Sequence, residues 1–389
     1  MRSWIVFRKT MREIGRDKWM LGLTLAFAPF FVFLYWLWFQ GGSTVYPIAV
    51  INQDKGVIQP DGTLFNAGNE VSRAIRAVTY ADGRPLLKVV EARDQIEAET
   101  MLRDRKATAF LLIPEDFSQI IQALQSGDRS VSTAITFGGD LSNSYYMIGA
   151  NMALSTVDTL VQKATGQKPL INYIEKPLGA SATRTEFETY VPGTLIFSVI
   201  LLIFLASMTV AREIESGAIR RLKLTPMTSF DLLAGISAAL LLVGAASSGL
   251  SFAVALLLGF HSQGPVWLAF VISVFAGLSV IGLGLVVASL TRSVSQAFVV
   301  ANFPLGFMMF FSGVIFPMPA VKLFTIAGHA VGPYDFLPPT HAVVALNKIL
   351  TLGAGLNDVT YELTALLLLS ALYFAVGVWC FRRMHLRSA

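Results

Sequence analysis

Residues 211–231 of this 389-residue chain have the sequence AREIESGAIRRLKLTPMTSFD and separate two long apolar runs. Those runs, residues 191–210 and 232–260, contain no charged side chain. Each reaches the roughly 20 residues that a helix needs to cross the hydrocarbon core of a bilayer. The segment between them therefore lies outside the lipid. Its basic residues predict the cytoplasmic side of the membrane, and they are Arg212, Arg220, Arg221 and Lys223.

Composition agrees with a membrane location, because 54% of the residues are hydrophobic and only 14% are charged. The formal charge of +5 is uneven: residues 40–190 hold 14 Lys/Arg and 17 Asp/Glu, a net −3, which leaves +8 for the remainder. A basic remainder made of short loops and tails indicates positive-inside topology, so no nucleic-acid partner is expected. Cys380 is the only cysteine, which excludes an intrachain disulfide.

The hydrophobic pattern predicts a polytopic α-helical membrane protein with six transmembrane helices and both termini in the cytoplasm. Residues 1–18 form a cytoplasmic amphipathic helix suited to the membrane surface, since apolar residues recur every three or four positions and arginines line another face. Residues 19–40 hold the first transmembrane helix, an uncleaved anchor because its apolar run exceeds a signal-peptide core. The other five helices are expected within residues 190–389, at 191–210, 232–260, 266–290, 297–316 and 363–381.

Two further segments have a predicted place outside the hydrocarbon core. Residues 41–189 alternate strand-like and helix-like patterns, which predicts an inserted extracellular α/β or α+β domain between the first two transmembrane helices. Within it, Pro114 is expected to open a helix and residues 131–137 to form a strand. Residues 317–358 are too rich in proline and polar residues to cross, and an outer re-entrant hairpin is expected there.

The chemistry missing from the chain narrows the function. There is no Gly-x-x-x-x-Gly-Lys-Ser/Thr sequence, so the chain has no P-loop. No Asp, Glu, Lys, Arg or His lies in the six apolar cores, which argues against a proton- or ion-coupled carrier. The four histidines are scattered without metal-ligand spacing, and no nucleophile is paired with a base, so neither a metal site nor a catalytic site is predicted.

Several motifs support a family resemblance that covers the whole chain. They are Arg212-Glu213-x-Glu215-x-Gly217 with Leu222 and Pro226; Phe311-Ser312-Gly313-x-x-Phe316-Pro317; Leu337-Pro338-Pro339-Thr340-His341; Ile48-Ala49-Val50 to Asp54; and Ile113-Pro114-x-x-Phe117. With these motifs the chain resembles the membrane subunits of ABC exporters of the ABC-2 type, in the branch with a large external domain. It departs from the family pattern at Ala218 and Arg220, where a threonine and an acid are common.

The resemblance implies a permease subunit in the bacterial cytoplasmic membrane that works with a separate nucleotide-binding ABC ATPase and a second permease copy or paralogue. ATP and Mg²⁺ would bind to the ATPase, with no cofactor in this chain. The expected cargo is a hydrophobic or amphipathic drug, lipid or lipid-like natural product. Alternatives are an ABC-type sodium extruder and a membrane-anchored receptor or adhesin. The expected ATPase-coupling residues are Arg212, Glu213, Glu215, Gly217, Arg220, Arg221 and Pro226, and the candidate substrate-pathway residues are Phe197, Phe204, Phe307, Met308 and Phe311.

Overall fold

A computed structural model describes residues 2–39, 44–59, 62–80, 83–128, 130–141, 143–166, 184–219, 226–316, 318, 321–326 and 328–386. The chain divides into two compact units. The membrane unit comprises Met1–Gly41 and Pro177–Ala389, and the inserted unit comprises Gly42–Lys176. Each unit has its own hydrophobic core.

The helices of the described residues are α1 (Arg2–Arg16), α2 (Lys18–Phe39), α3 (Ala67–Arg76), α4 (Gln95–Arg103), α5 (Phe117–Gln125), α6 (Ser144–Thr165), α7 (Glu186–Ile200), α8 (Leu202–Glu215), α9 (Ser229–Leu257), α10 (Val266–Ser289), α11 (Val294–Phe311), α12 (Pro338–Leu352) and α13 (Thr360–Phe381). The strands are β1 (Tyr46–Asn52), β2 (Val57–Ile58), β3 (Leu64–Phe65), β4 (Leu87–Glu91), β5 (Ala109–Ile113), β6 (Thr136–Gly138), β7 (Phe324–Ile326) and β8 (His329–Val331).

Six helical segments of the described residues are long and apolar enough to cross a membrane. In chain order, spans 1 to 6 are Leu21–Trp38, Glu186–Glu215, Ser229–Leu257, Val266–Ser289, Val294–Phe311 and Leu356–His385. Six crossings bring both ends of the chain to one side, called the terminal side below. The other side, where the chain continues between spans 1 and 2, is called the insertion side. The expected polytopic helical fold is thus observed.

Spans 2, 5 and 6 differ most from their sequence predictions, and span 6 is Leu356–His385 rather than residues 363–381. Span 2 is longer than residues 191–210 and consists of α7 and α8, which are separated by a turn at Leu201. Span 5 ends at Phe311 rather than at residue 316, because Gly313 adopts a left-handed φ of 81° that a helix cannot continue through. Pro304 lies inside continuous α11.

The inserted unit is a four-stranded sheet of order β4-β1-β5-β6 with helices packed against it. β1 pairs in parallel with β4 and β5, and β6 is antiparallel to β5. The central β1 is buried from Ile48 to Ile51, as expected of a strand covered on both faces. The sequence prediction was wrong in two details: α5 begins at Phe117, three residues after Pro114, and the last strand covers only Thr136–Gly138.

The carboxylate of Asp54, just after β1, joins the beginnings of two helices in this unit. It accepts hydrogen bonds from the Ser118 hydroxyl at 2.5 Å and from the backbone N–H groups of Gly68, Ser118 and Gly56 at 3.0–3.2 Å. Gly68 and Ser118 lie in the first turns of α3 and α5, where N–H groups lack helical partners. Burial alone would raise the pKa of Asp54, but these hydrogen bonds outweigh it and lower the pKa below its usual value.

Candidate functional site

The predicted coupling segment lies where four helices meet on the terminal side. These are α1, the end of α8, and the beginnings of α9 and α11, and their meeting point is called the coupling junction below. α1 reaches it by packing Val6, Thr10 and Ile14 into the bundle. The approach of α1 to α9 is close, because a Cβ on Gly235 would stand 2.5 Å from the Ser3 carbonyl oxygen and 2.6 Å from Val6 Cβ.

Glu213 connects the end of α8 to α1. Its Oε1 accepts a hydrogen bond from Lys9 Nζ at 2.6 Å, and the side chains of Glu213 and Lys9 are 10% and 47% exposed. Lys9 also lies 3.6 Å from Glu13 Oε1, one turn along α1. The carboxylate of Glu213 thus faces the protein and binds α1, and its role in ATPase coupling stays a prediction.

Glu215 connects the same helix end to span 5. Its Oε2 accepts the backbone N–H of Val294, the first residue of α11, at 2.9 Å. A carboxylate at this position satisfies a free N–H of the helix and interacts favourably with the positive end of its dipole. Span 2 and span 5 are therefore joined by a contact that the spacing of Glu215 in the sequence does not reveal.

Two further residues of the predicted coupling segment, Gly217 and Arg212, end α8 and place a positive charge at the surface. Gly217 adopts a left-handed φ of 69°, and its N–H donates to the Ile214 carbonyl at 3.1 Å, as in a glycine C-cap. Arg212 is exposed to solvent. The structure thus brings Arg212, Glu213, Glu215 and Gly217 to one helix end, while Arg220 and Arg221 lie outside the described residues.

α1 is also bound to the beginning of α9. Ser3 Oγ donates to Asp231 Oδ1 at 3.1 Å, and the Arg2 guanidinium donates to the Pro226 carbonyl. Asp231 in turn accepts the backbone N–H and the hydroxyl of Thr228, which caps α9. Spans 2, 3 and 5 are therefore linked through polar side chains at the coupling junction, so a displacement of α1 would act on all three.

A cavity of about 680 Å³ lies at the insertion side of the membrane unit. Its walls come from α7, from the loop after α11, from the β7–β8 hairpin region and from α12. Examples from each wall are Tyr190, Val314, Ala330 and Val344. The predicted re-entrant segment therefore consists of the β7–β8 hairpin followed by α12, and it encloses a cavity.

The candidate pathway residues are distributed unevenly around this cavity. Phe197 lines a neighbouring pocket of about 140 Å³ that shares Tyr190 and Val314 with the cavity. Phe311 packs against Phe307 with tilted rings at 4.8 Å and stacks parallel to the cavity residue Tyr334 at 6.2 Å between ring centroids.

The other two candidates lie elsewhere. Phe204 stacks on Phe298 of span 5 at 5.0 Å between ring centroids. Met308 is only 1% exposed and packs in the bundle core, away from the cavity, and its place in a pathway stays a prediction.

Sequence reasoning missed a buried ion pair at the insertion side. Lys348 Nζ on α12 lies 2.7 Å from Glu362 Oε1 at the beginning of α13, and the Glu362 side chain is 5% exposed. Glu362 Oε2 is buried without a hydrogen-bond partner. The pair joins two helices across the turn at Gly353, which has a φ of 73°. In the sequence, the pair is visible only as two opposite charges 14 residues apart, and such a spacing is too common to predict an ion pair.

Within the described part of the chain, no three His, Cys, Asp or Glu side chains cluster as metal ligands.

A family model and two curated relatives that match this chain all describe ABC transporter proteins. The family model described as ABC-2 family transporter protein matches residues 18–379. The chain is 24% identical over 398 residues to the probable multidrug ABC transporter permease YbhR of Escherichia coli (strain K12), with 98% of each chain covered. The YbhR of Escherichia coli O157:H7 matches with the same identity and coverage.

Proposed function

Because this chain belongs to the ABC-2 family of transporters, we propose that it is the membrane subunit of an exporter driven by a separate ABC ATPase. It is a multi-pass membrane protein, and the family implies an ABC ATPase as partner. In the proposed assembly two permease chains, identical or paralogous, stand on two ATPase subunits, which bind ATP and Mg²⁺. The terminal side faces the cytoplasm of a bacterium, and the inserted unit lies outside.

The observation that carries this proposal is the coupling junction. A partner that presses on exposed Arg212 and on the outward face of α1 would move span 2 through Glu213, span 3 through Asp231 and span 5 through Glu215. Lys9 is 47% exposed and the Glu215–Val294 contact is at the surface, so a partner protein can reach these contacts and the junction can rearrange during each ATP cycle. ATP-driven closure on the terminal side would then change the relative tilt of the spans and move cargo towards the insertion side.

The proposed cargo is a hydrophobic or amphipathic molecule such as a drug, a lipid or a lipid-like natural product. Two observations support this class. The apolar cores of the spans carry no ionisable residue, so they offer no site for a small inorganic ion. The Escherichia coli relatives are described as probable multidrug permeases. Outward transport is part of the same proposal and rests on the resemblance of the chain to ABC-2 type exporters.

The test is co-purification with a candidate ABC ATPase, followed by ATP hydrolysis with and without amphipathic drugs in proteoliposomes. Arg212→Ala is expected to weaken association with the ATPase. Arg292→Ala is the matched control, because Arg292 is an exposed arginine on the same side between spans 4 and 5. The paired change Glu213→Ala with Glu215→Ala should preserve some association but reduce drug-stimulated hydrolysis.

Three results would contradict the proposal. One is transport by the purified chain without any ATPase. Another is normal association and export in both the Arg212 variant and the Glu213/Glu215 variant. The third is ATP hydrolysis stimulated by sodium ions but by none of the amphiphiles, which would favour an ion extruder.

A further inference from the structure

The insertion-side cavity has the size and the wall of a ligand site. Its volume of about 680 Å³ falls within the roughly 300–1,000 Å³ typical of small-molecule pockets. Most of its lining is apolar, with Val314, Ile315, Met318 and Val343 among the residues that form it. A cavity with such a wall gains free energy by burying apolar surface of a ligand.

Three neutral polar side chains of the wall donate hydrogen bonds to the protein backbone. The Thr340 hydroxyl donates to the Tyr334 carbonyl at 2.7 Å, and the Asn347 amide donates to the Val343 carbonyl at 3.1 Å. The Ser312 hydroxyl donates to the Met308 carbonyl. With these three donors in use and most of the lining apolar, the wall favours an apolar ligand body over a sugar or another polyhydroxylated molecule, which would need many free hydrogen-bonding groups.

The two charged residues of the cavity differ in what they can offer a ligand. Asp335 Oδ2 accepts the backbone N–H of Gly332 at 2.7 Å and so stabilises the turn before α12. Lys322 is exposed, and no carboxylate of the described residues lies within ion-pair distance of its ammonium group. Residues 317, 319, 320 and 327, which are close to Lys322 in the sequence, are proline or alanine and carry no charge. Lys322 is therefore the charge available to a ligand.

We propose that this cavity binds an amphiphile with an anionic head group, with its apolar body against Val314, Val343 and Val344 and its head at Lys322. As a binding site it is independent of the direction of transport. As a site for cargo it rests on the proposed function. A membrane phospholipid and a transported amphiphile share this chemistry, and the experiment below separates them.

The first experiment is photolabelling of the full chain in neutral detergent with three diazirine-bearing probes that differ only in the head group. The probes are a hexadecyl sulfonate, hexadecanol and hexadecyltrimethylammonium, and labelled positions are mapped by peptide mass spectrometry. The sulfonate is expected to label the cavity peptides most strongly. Lys322→Gln should lower its labelling by about two- to fivefold, the range of an exposed ion pair, and Lys322→Glu should lower it further.

A filling substitution tests the cavity itself. Val344→Trp places a large side chain in the cavity and should reduce labelling by all three probes about tenfold or more. Leu352→Trp is the matched control, because Leu352 is on the same helix and is equally exposed, at 40% against 42% for Val344, but does not line the cavity. Leu352→Trp should label like the wild type. Equal labelling by all three head groups, or full labelling of the Val344→Trp variant, would overturn the proposal.

The source of the ligand is determined in a second experiment with the same variants. An anionic phospholipid that survives detergent washing in the wild type but not in Val344→Trp identifies a resident lipid. Stimulation of ATP hydrolysis by the sulfonate probe in the complex, abolished by Val344→Trp, identifies cargo. If no ATPase associates and no transport occurs while the labelling pattern holds, the proposed function fails and the binding site stands.

Discussion

The two sides of the span bundle differ in the partners and in the burial of their acidic side chains. On the terminal side, Glu213 and Glu215 bind partners that are partly exposed or belong to a helix end. On the insertion side the ion pair is more deeply buried: the Glu362 and Lys348 side chains are 5% and 35% exposed, against 10% and 47% for Glu213 and Lys9. Exposed ion pairs contribute little to stability and are easily exchanged, whereas a buried pair that loses one partner is strongly destabilised.

We infer from this difference that the terminal side can rearrange while the insertion side keeps its structure. The terminal side has contacts that can be replaced by contacts with another protein at small cost. On the insertion side, the Lys348–Glu362 ion pair forms a fixed joint between α12 and α13. This joint holds the α12 wall of the cavity in place. Substitutions on the insertion side should therefore cost more stability than substitutions at the coupling junction.

Lys348→Ala should produce the largest effect. It leaves the Glu362 carboxylate buried with both oxygens unpaired, and we expect a loss of about 3 kcal/mol in the free energy of unfolding. The measurement is unfolding of the full chain in neutral detergent. The double variant Lys348→Met with Glu362→Leu should recover most of the loss, because an apolar pair replaces the ionic one. Wild-type stability in the single variant would show that the joint is not fixed.

Asp54→Asn tests, in the inserted unit, whether a buried carboxylate is costly to replace when it accepts several hydrogen bonds. The amide cannot accept from all four donors, so we expect a local loss of about 1.5–3 kcal/mol. Amide hydrogen exchange of peptides from β1, α3 and α5 measures it. Asp128→Asn is a control, because that carboxylate is exposed and bonds only to Ser130. Equal effects in both variants would contradict a special role of Asp54.

The same carboxylate predicts a dependence on pH. The folded pKa of Asp54 is lower than its unfolded value, so the charged form stabilises the fold. That stabilisation is fully present above the unfolded pKa of about 3.9 and is lost as the pH falls through the lowered folded pKa. Protection factors in the inserted unit, which correct the exchange rates for the intrinsic effect of pH, should therefore fall in acid more steeply in the wild type than in Asp54→Asn. Parallel pH profiles would disprove this assignment.

Gly235→Ala should have a smaller effect at the coupling junction. The added Cβ would lie 2.5 Å from the Ser3 carbonyl oxygen, so α1 must move away from α9. Overpacking of this kind costs about 1–3 kcal/mol, and we expect the lower end because α1 can shift along its exposed side. Gly249→Ala, whose Cβ would meet nothing closer than 3.8 Å, is the control. A thermal unfolding midpoint equal to wild type would show that α1 is only loosely attached.

The sequence could predict the spans and the amphipathic first helix, because both depend on local hydrophobic patterns. It could also place Asp54 at the end of β1 and Gly217 at the end of span 2. It could not show that Glu213 faces α1, since Lys9 is 204 residues away and the contact depends on tertiary packing. The cavity was hidden for the same reason: its walls come from Tyr190, Val314 and Val344, which only the folding of the hairpin region brings together.

Lys9→Met should have the smallest effect on stability and the most informative effect on coupling. Lys9 is 47% exposed, so we expect a loss of only about 0.2–1 kcal/mol, and a double-mutant cycle with Glu213→Leu should give a coupling energy in the same range. If the contact transmits motion from α1 to span 2, drug-stimulated ATP hydrolysis should nevertheless fall in this variant. Lys18→Met, an exposed lysine beyond the end of α1, should leave both properties unchanged. A stability loss as large as that of Lys348→Ala would mean that both sides of the bundle are equally fixed, and the proposed exchange of contacts at the coupling junction would be wrong.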